Sequence, residues 1–285
     1  MYTTLISVPQ LHALMASGQP LMVFDCSFEL MKPAEGDAQY AASHIAGAVR
    51  ANLDRHLSAN DEADTASGGR HPLPSREAFA AWLGSTGLTP DMQVVVYDRQ
   101  GVNYCGRLWW MLKWAGHEAV AVLDGGLQAW QAAGGAVASG VSTEFQASNY
   151  LLAPVLATLV DTNAVASQLA RPTQTILDAR ATPRFRGEVE PLDPVAGHIP
   201  GALNRPFQQN FDANGFFKPA HELRTEFDAL LAGRDPASVV HHCGSGVSAL
   251  PNLIAMEVAG LGRTALYAGS WSEWCSDPQR PVAQG

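Results

Sequence analysis

Short apolar runs recur along the chain, each closed by an acidic residue or by histidines. Leu21-Met22-Val23-Phe24 ends in Asp25, Val94-Val95-Val96-Tyr97 in Asp98, Val122-Leu123 in Asp124, Ile176-Leu177 in Asp178, and Val239-Val240 in His241-His242. Runs this short and without alternation read as strands buried on both faces. Between them the period changes. Ser75 to Leu83 opens on a capping serine and sets Ala78, Phe79 and Trp82 on one face; His221 to Leu231 does the same with Leu223, Phe227, Leu230 and Leu231. Strands alternating with amphipathic helices predict an α/β architecture of mainly parallel sheets flanked by helices.

The pattern occurs twice. His44-Ile45-Ala46-Gly47-Ala48 returns as His198-Ile199-Pro200-Gly201-Ala202, and Gln93 to Asp98 returns as Ser238 to Cys243. Asp124-Gly125-Gly126-Leu127-Gln128-Ala129-Trp130 returns as Ala268-Gly269-Ser270-Trp271-Ser272-Glu273-Trp274. Blocks repeated in the same order mark a duplication. With 285 residues, two domains are expected at about 150 residues each. We assign them to 1–140 and 150–285. Gly134 to Gln146, small-residue-rich and aperiodic, is the expected linker. Asp61 to Gly69 is expected as a surface loop of the first half.

Composition narrows the function. Hydrophobic residues make up 47% of the chain and charged residues 16%, as in a folded globular protein. The net charge of −9 argues against a nucleic-acid-binding face. No apolar run approaches the length of about 20 residues that a membrane span needs, and Met1 to Gln10 has no secretory pattern, so no membrane partner is expected. The four cysteines, Cys26, Cys105, Cys243 and Cys275, form no CxxC pair. That usage predicts neither a disulfide scaffold nor a zinc site, and a reducing, cytoplasmic setting.

One cysteine stands apart. Cys243-Gly244-Ser245-Gly246-Val247-Ser248 follows a strand and precedes a helix that carries Pro251 in its first turn. Such a glycine-bearing loop turns backbone N–H groups inward at a helix N-terminus, which suits a thiolate or other anion. Lowering a thiol pKa by about 2 units takes about 2.7 kcal/mol, and a helix dipole alone supplies about 0.3–1 kcal/mol. Several loop amides must therefore face the sulfur. Cys26, Cys105 and Cys275 sit in apolar or aromatic surroundings and read as structural. A His-Cys-x5-Arg phosphatase loop would need arginine at position 249, which is Ala. His241, His242 and Cys243, adjacent on a strand, make an awkward metal triad.

These residues resemble the rhodanese-type sulfurtransferases, over nearly the whole chain. The resemblance implies two tandem rhodanese-like domains: an inactive first one, with Asp98 in the cysteine's place, and a catalytic second one. It implies transfer of a sulfur atom through a Cys243 persulfide, with no metal and no cofactor. Cys243-Gly244-Ser245-Gly246-Val247-Ser248-Ala249 is similar to the loop of the 3-mercaptopyruvate-using members. Thiosulfate-specific members more often carry basic residues there. Thiosulfate:cyanide sulfur transfer and a non-catalytic sulfur-carrier or partner-binding module remain the alternatives.

The same resemblance implies a site list. Cys243, Ser245, His71 and Asp54 are the expected catalytic residues. Arg184, Gly244, Gly246, Val247, Ser248 and Arg186 are the expected substrate-binding residues. His71 and Asp54 come from the first half, so the site is expected between the domains. The family's second arginine, after Glu-Pro, is Leu192 here, and Arg186 or Arg205 are the sequence's candidates to replace it. The implied partners are a small sulfur donor, 3-mercaptopyruvate or thiosulfate, and an acceptor that is cyanide or a thiol such as thioredoxin. Asp25, Asp178, His44 and His198 occur in both halves and read as structural.

Overall fold

The apolar runs become parallel strands. In a computed structural model, described over residues 1–61, 64–141 and 146–285, the chain divides into two compact units. The first comprises Met1–Thr65, Pro74–Leu156 and Asn214–Phe216; the second comprises Ala66–Leu73, Ala157–Ala213 and Phe217–Gly285.

The first unit holds strands β1 (Leu5–Ile6), β2 (Leu21–Asp25), β4 (Val49–Arg50), β5 (Gln93–Tyr97) and β6 (Val120–Leu123) in a five-stranded sheet of order β1-β6-β5-β2-β4. All pairings in it are parallel. A separate antiparallel pair joins β3 (His44–Ile45) to β7 (Val137–Ala138). The second unit holds β8 (Thr158–Val160), β9 (Thr175–Asp178), β10 (Leu203–Asn204), β11 (Val239–His242) and β12 (Ala265–Tyr267), again five parallel strands, in the order β10-β9-β11-β12-β8. Read from β8, that order repeats the first sheet strand for strand, so the duplication seen in the sequence is a duplication of topology.

Each unit has its own core. Val23, Val95, Tyr97, Ala121, Leu123 and Trp130 pack together in the first, and Ile176, Val240, Tyr267, Trp271 and Trp274 in the second. Two helix starts follow the local sequence signals. Ser75 Oγ accepts from Ala78 N at the head of Arg76–Ser85, and Pro251 lies in the first turn of Leu250–Val258. The repeated histidines are structural. His44 bonds the Tyr40 carbonyl at 2.8 Å and His198 the Phe185 carbonyl at 2.8 Å, each stacked on that residue's ring.

Two expectations shift. Part of the expected linker is a strand, since Val137–Ala138 pairs with β3. Residues 142–145 of it lie outside the described residues. Ser148, Ala153 and Leu156 bond the carbonyls of Gly84, Ala115 and Lys113, which keeps this stretch in the first unit as far as Leu156. Residues 62–63 of the expected surface loop also lie outside the described residues. Its later part, from Ala66, belongs to the second unit. Among the described residues no helix is long and apolar enough to cross a membrane.

Candidate active site

In the second unit β9 and β11 are neighbours, paired from Thr175↔Val239 to Asp178↔His242. Their carboxyl ends open side by side, the usual place for a site on a parallel sheet. Cys243 is the first residue past β11 and is only 1% exposed. Its backbone is tied down on both sides. The Cys243 N–H donates to Ser270 Oγ at 3.1 Å, and Ser270 Oγ donates to the Tyr267 carbonyl at 3.0 Å. The carbonyls of Cys243 and Gly244 accept from Trp271 N at 3.0 Å and Ser272 N at 2.9 Å. The nucleophile loop thus rests on the turn after β12. Gly246 makes the close approach possible: its φ is +72°, and a Cβ there would fall onto the Ala268 carbonyl.

The first unit shows what this loop holds. At Asp98, the position equivalent to Cys243, the side-chain carboxylate accepts from the N–H groups of Gln100, Val102, Tyr104 and Cys105 at 2.8–3.0 Å. The corresponding positions past Cys243 are Ser245, Val247, Ala249 and Leu250. The first unit therefore carries a carboxyl group in the amide cradle at the head of Cys105–Trp114. Burial raises the pKa of Asp98 despite those four donors.

Around Cys243 lie three further arrangements. His71 Nδ1 and Ser245 Oγ are hydrogen-bonded at 2.7 Å, and both side chains are buried. Arg184 donates Nε and Nη2 to Glu190 at 3.1 and 2.6 Å, and Nη2 also lies 3.3 Å from Asp193. Arg180, its side chain 1% exposed, is gripped by Asp178 at 2.7–3.2 Å, by Glu190 at 3.3 Å and by the Gly197 carbonyl at 2.7 Å. Its guanidinium stacks 4.7 Å above the Trp271 ring. Burial works against the charge on Arg180, but Asp178, Glu190 and Cys243 outweigh it and its pKa is raised. Burial likewise opposes ionisation of Asp178 and Glu190, yet His242 and Arg180 for the first, and Arg184 for the second, hold both below the usual range. A buried guanidinium is thus held on a fixed mount past the end of β9, the strand beside the one that carries Cys243.

Two matches to the rhodanese-like domain model, over residues 7–133 and 161–277, coincide with this duplicated architecture. The chain belongs to the rhodanese-type sulfurtransferases. A Pseudomonas aeruginosa protein provisionally named 3-mercaptopyruvate sulfurtransferase is 46% identical over 282 residues, covering 99% of this chain and 98% of its own. A Mycobacterium tuberculosis protein provisionally named thiosulfate sulfurtransferase is 39% identical over 284 residues, covering 99% of this chain and 97% of its own. Among solved structures, the 3-mercaptopyruvate sulfurtransferase from Leishmania major superposes with a TM-score of 0.80 at 30% identity, covering 96% of this chain and 74% of that one.

Within this rhodanese framework the structure brings Cys243, Gly244, Ser245, Gly246, His71 and Arg184 together in the second unit. His71 was expected from the first half; it reaches Ser245 because Ala66–Leu73 belongs to the second unit. Asp54 lies in the short helix Leu53–His56 of the first unit, half-buried, and burial raises its pKa. Val247 and Ser248 lie in the buried and half-buried part of the loop. Arg186 is placed elsewhere: its side chain is 56% exposed and 3.7 Å from Glu188. Arg205 is engaged by Asn210 at 3.0 Å and Glu226 at 2.6 Å, above the Phe227 ring.

Two residues escaped the sequence reading. Arg180 follows the strand-ending Asp178 by two positions, and that spacing next to the cysteine's strand was its only signal. Arg70 adjoins His71 and donates Nη1 to Asp193 at 2.6 Å; nothing in its sequence context pointed to it. Cys26, Cys105 and Cys275 are buried free thiols whose pKa values are raised by burial, as structural cysteines should be.

Proposed function

We propose that the chain moves a sulfur atom from 3-mercaptopyruvate to a thiol or to cyanide through a Cys243 persulfide. The Ser245–His71 pair beside Cys243, on a loop without a basic residue of its own, is the observation that carries this reading. The Cys243 thiolate attacks the donor sulfur, a sulfur–sulfur bond forms, and the donor's carbon–sulfur bond breaks. The electron pair leaves on carbon as pyruvate enolate, which needs a proton to become pyruvate. Ser245, relayed by His71, supplies it; the resemblance assigns Asp54 to the same relay. Arg184 orients the donor carboxylate, and Arg180 with the loop amides stabilises the anionic sulfur. The acceptor, cyanide or a thiol such as that of thioredoxin, then attacks the outer sulfur and restores the thiolate. Its four cysteines being free thiols, we assign the chain to the reducing cytoplasm.

Leu192 in place of the family's second arginine favours thiosulfate as the rival donor. The test is kcat/KM for sulfur transfer to cyanide from both donors, beside Cys243→Ser. A preference for 3-mercaptopyruvate of about 100-fold or more, about 2.7 kcal/mol of transition-state discrimination, upholds the proposal. A preference for thiosulfate overturns the donor assignment, and turnover by Cys243→Ser overturns the mechanism.

A further inference from the structure

We propose that the second unit binds a divalent tetrahedral oxyanion, phosphate-like in charge and shape, in a cavity shared by Arg171 and Arg234. The cavity measures about 280 Å³. Its walls are the turn at Arg171, the head of β9 at Gln174 and Thr175, Gly201, and Arg234 just past the helix Ala220–Leu231. Cys243 follows the carboxyl end of β11, which runs parallel to β9, so this cavity and the cysteine lie at opposite ends of the same sheet.

Both guanidinium groups are largely uncommitted. Among the described residues the Arg171 side chain has neither a hydrogen-bond acceptor nor an ion pair. Arg234 spends one donor, Nη1, on the Leu231 carbonyl at 3.1 Å and makes no ion pair among the described residues. No acidic residue lines the cavity among the described residues. The adjoining Asp235 is turned to its own segment, its Oδ1 accepting from Ala237 N at 2.9 Å. In a chain of net charge −9, two unpaired cations on one concave wall make a local field of the opposite sign.

The pair is peculiar to the second copy. Counting back from the matched strand ends, Asp178 with Asp25 and His242 with Tyr97, Arg171 falls on Gly18 and Arg234 on Thr89. The first unit builds the same strands without either charge, so the fold does not require them. Arginine forks match paired oxygens, and two forks favour an ion with several acceptor oxygens and a double charge. A water takes about 30 Å³ of liquid volume, and a four-oxygen ion about two to three times that. Room is left for a small organic group against Pro172 and Pro200. The shared chemistry is the divalent oxyanion, free or as a monoester.

The test titrates inorganic phosphate, glycerol phosphate and chloride, at constant ionic strength, into the isotope-labelled full chain and reads the amide chemical shifts of Gln174 and Gly201. A phosphate should give a saturable shift and chloride none. Arg171→Gln and Arg234→Gln should each weaken binding by about 10-fold or more, the loss of a charge-assisted hydrogen bond, and Arg171→Lys should keep part of the affinity. Both arginines are exposed, so thermal unfolding of these variants should match the wild type. Arg184→Gln, at the other end of the sheet, should leave the shifts unchanged. Tighter glycerol phosphate identifies a monoester as the ligand and tighter inorganic phosphate the free ion; either upholds the site. No saturable shift, an equal response to chloride, shifts that survive both glutamine substitutions, or shifts lost with Arg184→Gln instead would overturn it.

Discussion

Gly246→Ala tests whether the cysteine loop works because of where its backbone is held. Two costs follow from the structure. The first is conformational: φ is +72° at Gly246, and an L-residue there costs about 1–2 kcal/mol. The second is steric and specific to the site. The new methyl would sit 2.9 Å from both the Cα and the carbonyl carbon of Ala268, where carbon pairs settle at about 3.5–4.0 Å. Relief requires the loop to retreat by roughly 1 Å, since its neighbour is backbone and not a flexible side chain. That retreat loosens the bonds from Trp271 N and Ser272 N to the Cys243 and Gly244 carbonyls. A misplacement of about 1 Å at a reacting centre costs about 100-fold in rate. Gly233→Ala is the control. Gly233 has φ +85° and nothing within 4 Å of a new methyl, so it carries the strain without the clash. The assay is kcat/KM for sulfur transfer, with thermal unfolding of both variants. Gly233→Ala should lose stability and keep its activity; Gly246→Ala should lose both. Equal activity in the two variants would refute the claim that the backbone contact at Ala268 sets the sulfur's position.

Three further outcomes follow. Ser245→Ala, and His71→Asn with it, should lower kcat for 3-mercaptopyruvate by about 100-fold or more, yet leave transfer from thiosulfate nearly intact, because departing sulfite needs no proton on carbon; equal losses with both donors would remove the proton relay. Arg180→Leu should destabilise the fold by about 3–5 kcal/mol in denaturant titration, since it strands the buried carboxylates of Asp178 and Glu190; a small change would mean that those groups find other partners. His241 is fully buried, its ring nitrogens lack partners among the described residues, and burial lowers its pKa to about 3. Below about pH 6.5 the unfolded chain takes up a proton at His241 that the folded chain refuses, so stability is complete above that pH and falls as pH drops towards 3. By pH 5 the loss at this one group is about 2 kcal/mol, and His241→Leu should flatten the acid limb by that amount; an unchanged acid limb would contradict the burial argument.

What was legible in the sequence follows a physical division. The strands were legible because both faces of each sheet are covered, so apolar runs such as Val94 to Tyr97 are uninterrupted. The duplication was legible because both units need the same turns after the same strands. Cys243 was legible because a glycine-bearing loop between a strand and a proline-started helix has few other uses. Arg180 was less legible because its local pairing with Asp178 does not show that its guanidinium also meets Glu190, the Gly197 carbonyl and the Trp271 ring, and Arg70 because its partner is distant along the chain. Arg70 reaches Asp193 across 123 positions, and no periodicity or local spacing reports such a meeting. The extent of the first unit, to Leu156, was not legible for a related reason. Past the expected linker, Gly134 to Gln146, the backbone of residues 148–156 is fixed by the distant carbonyls of Gly84, Ala115 and Lys113.

The most direct test of the account is the mass of the cysteine peptides after one turnover without acceptor. Wild-type chain treated with 3-mercaptopyruvate should gain one sulfur atom, on the Cys243 peptide, with one pyruvate released per sulfur bound. Cyanide should then remove that sulfur as thiocyanate. Sulfur found on Cys26, Cys105 or Cys275, or pyruvate released with no sulfur on Cys243, would contradict the central claim that Cys243 carries the transferred atom.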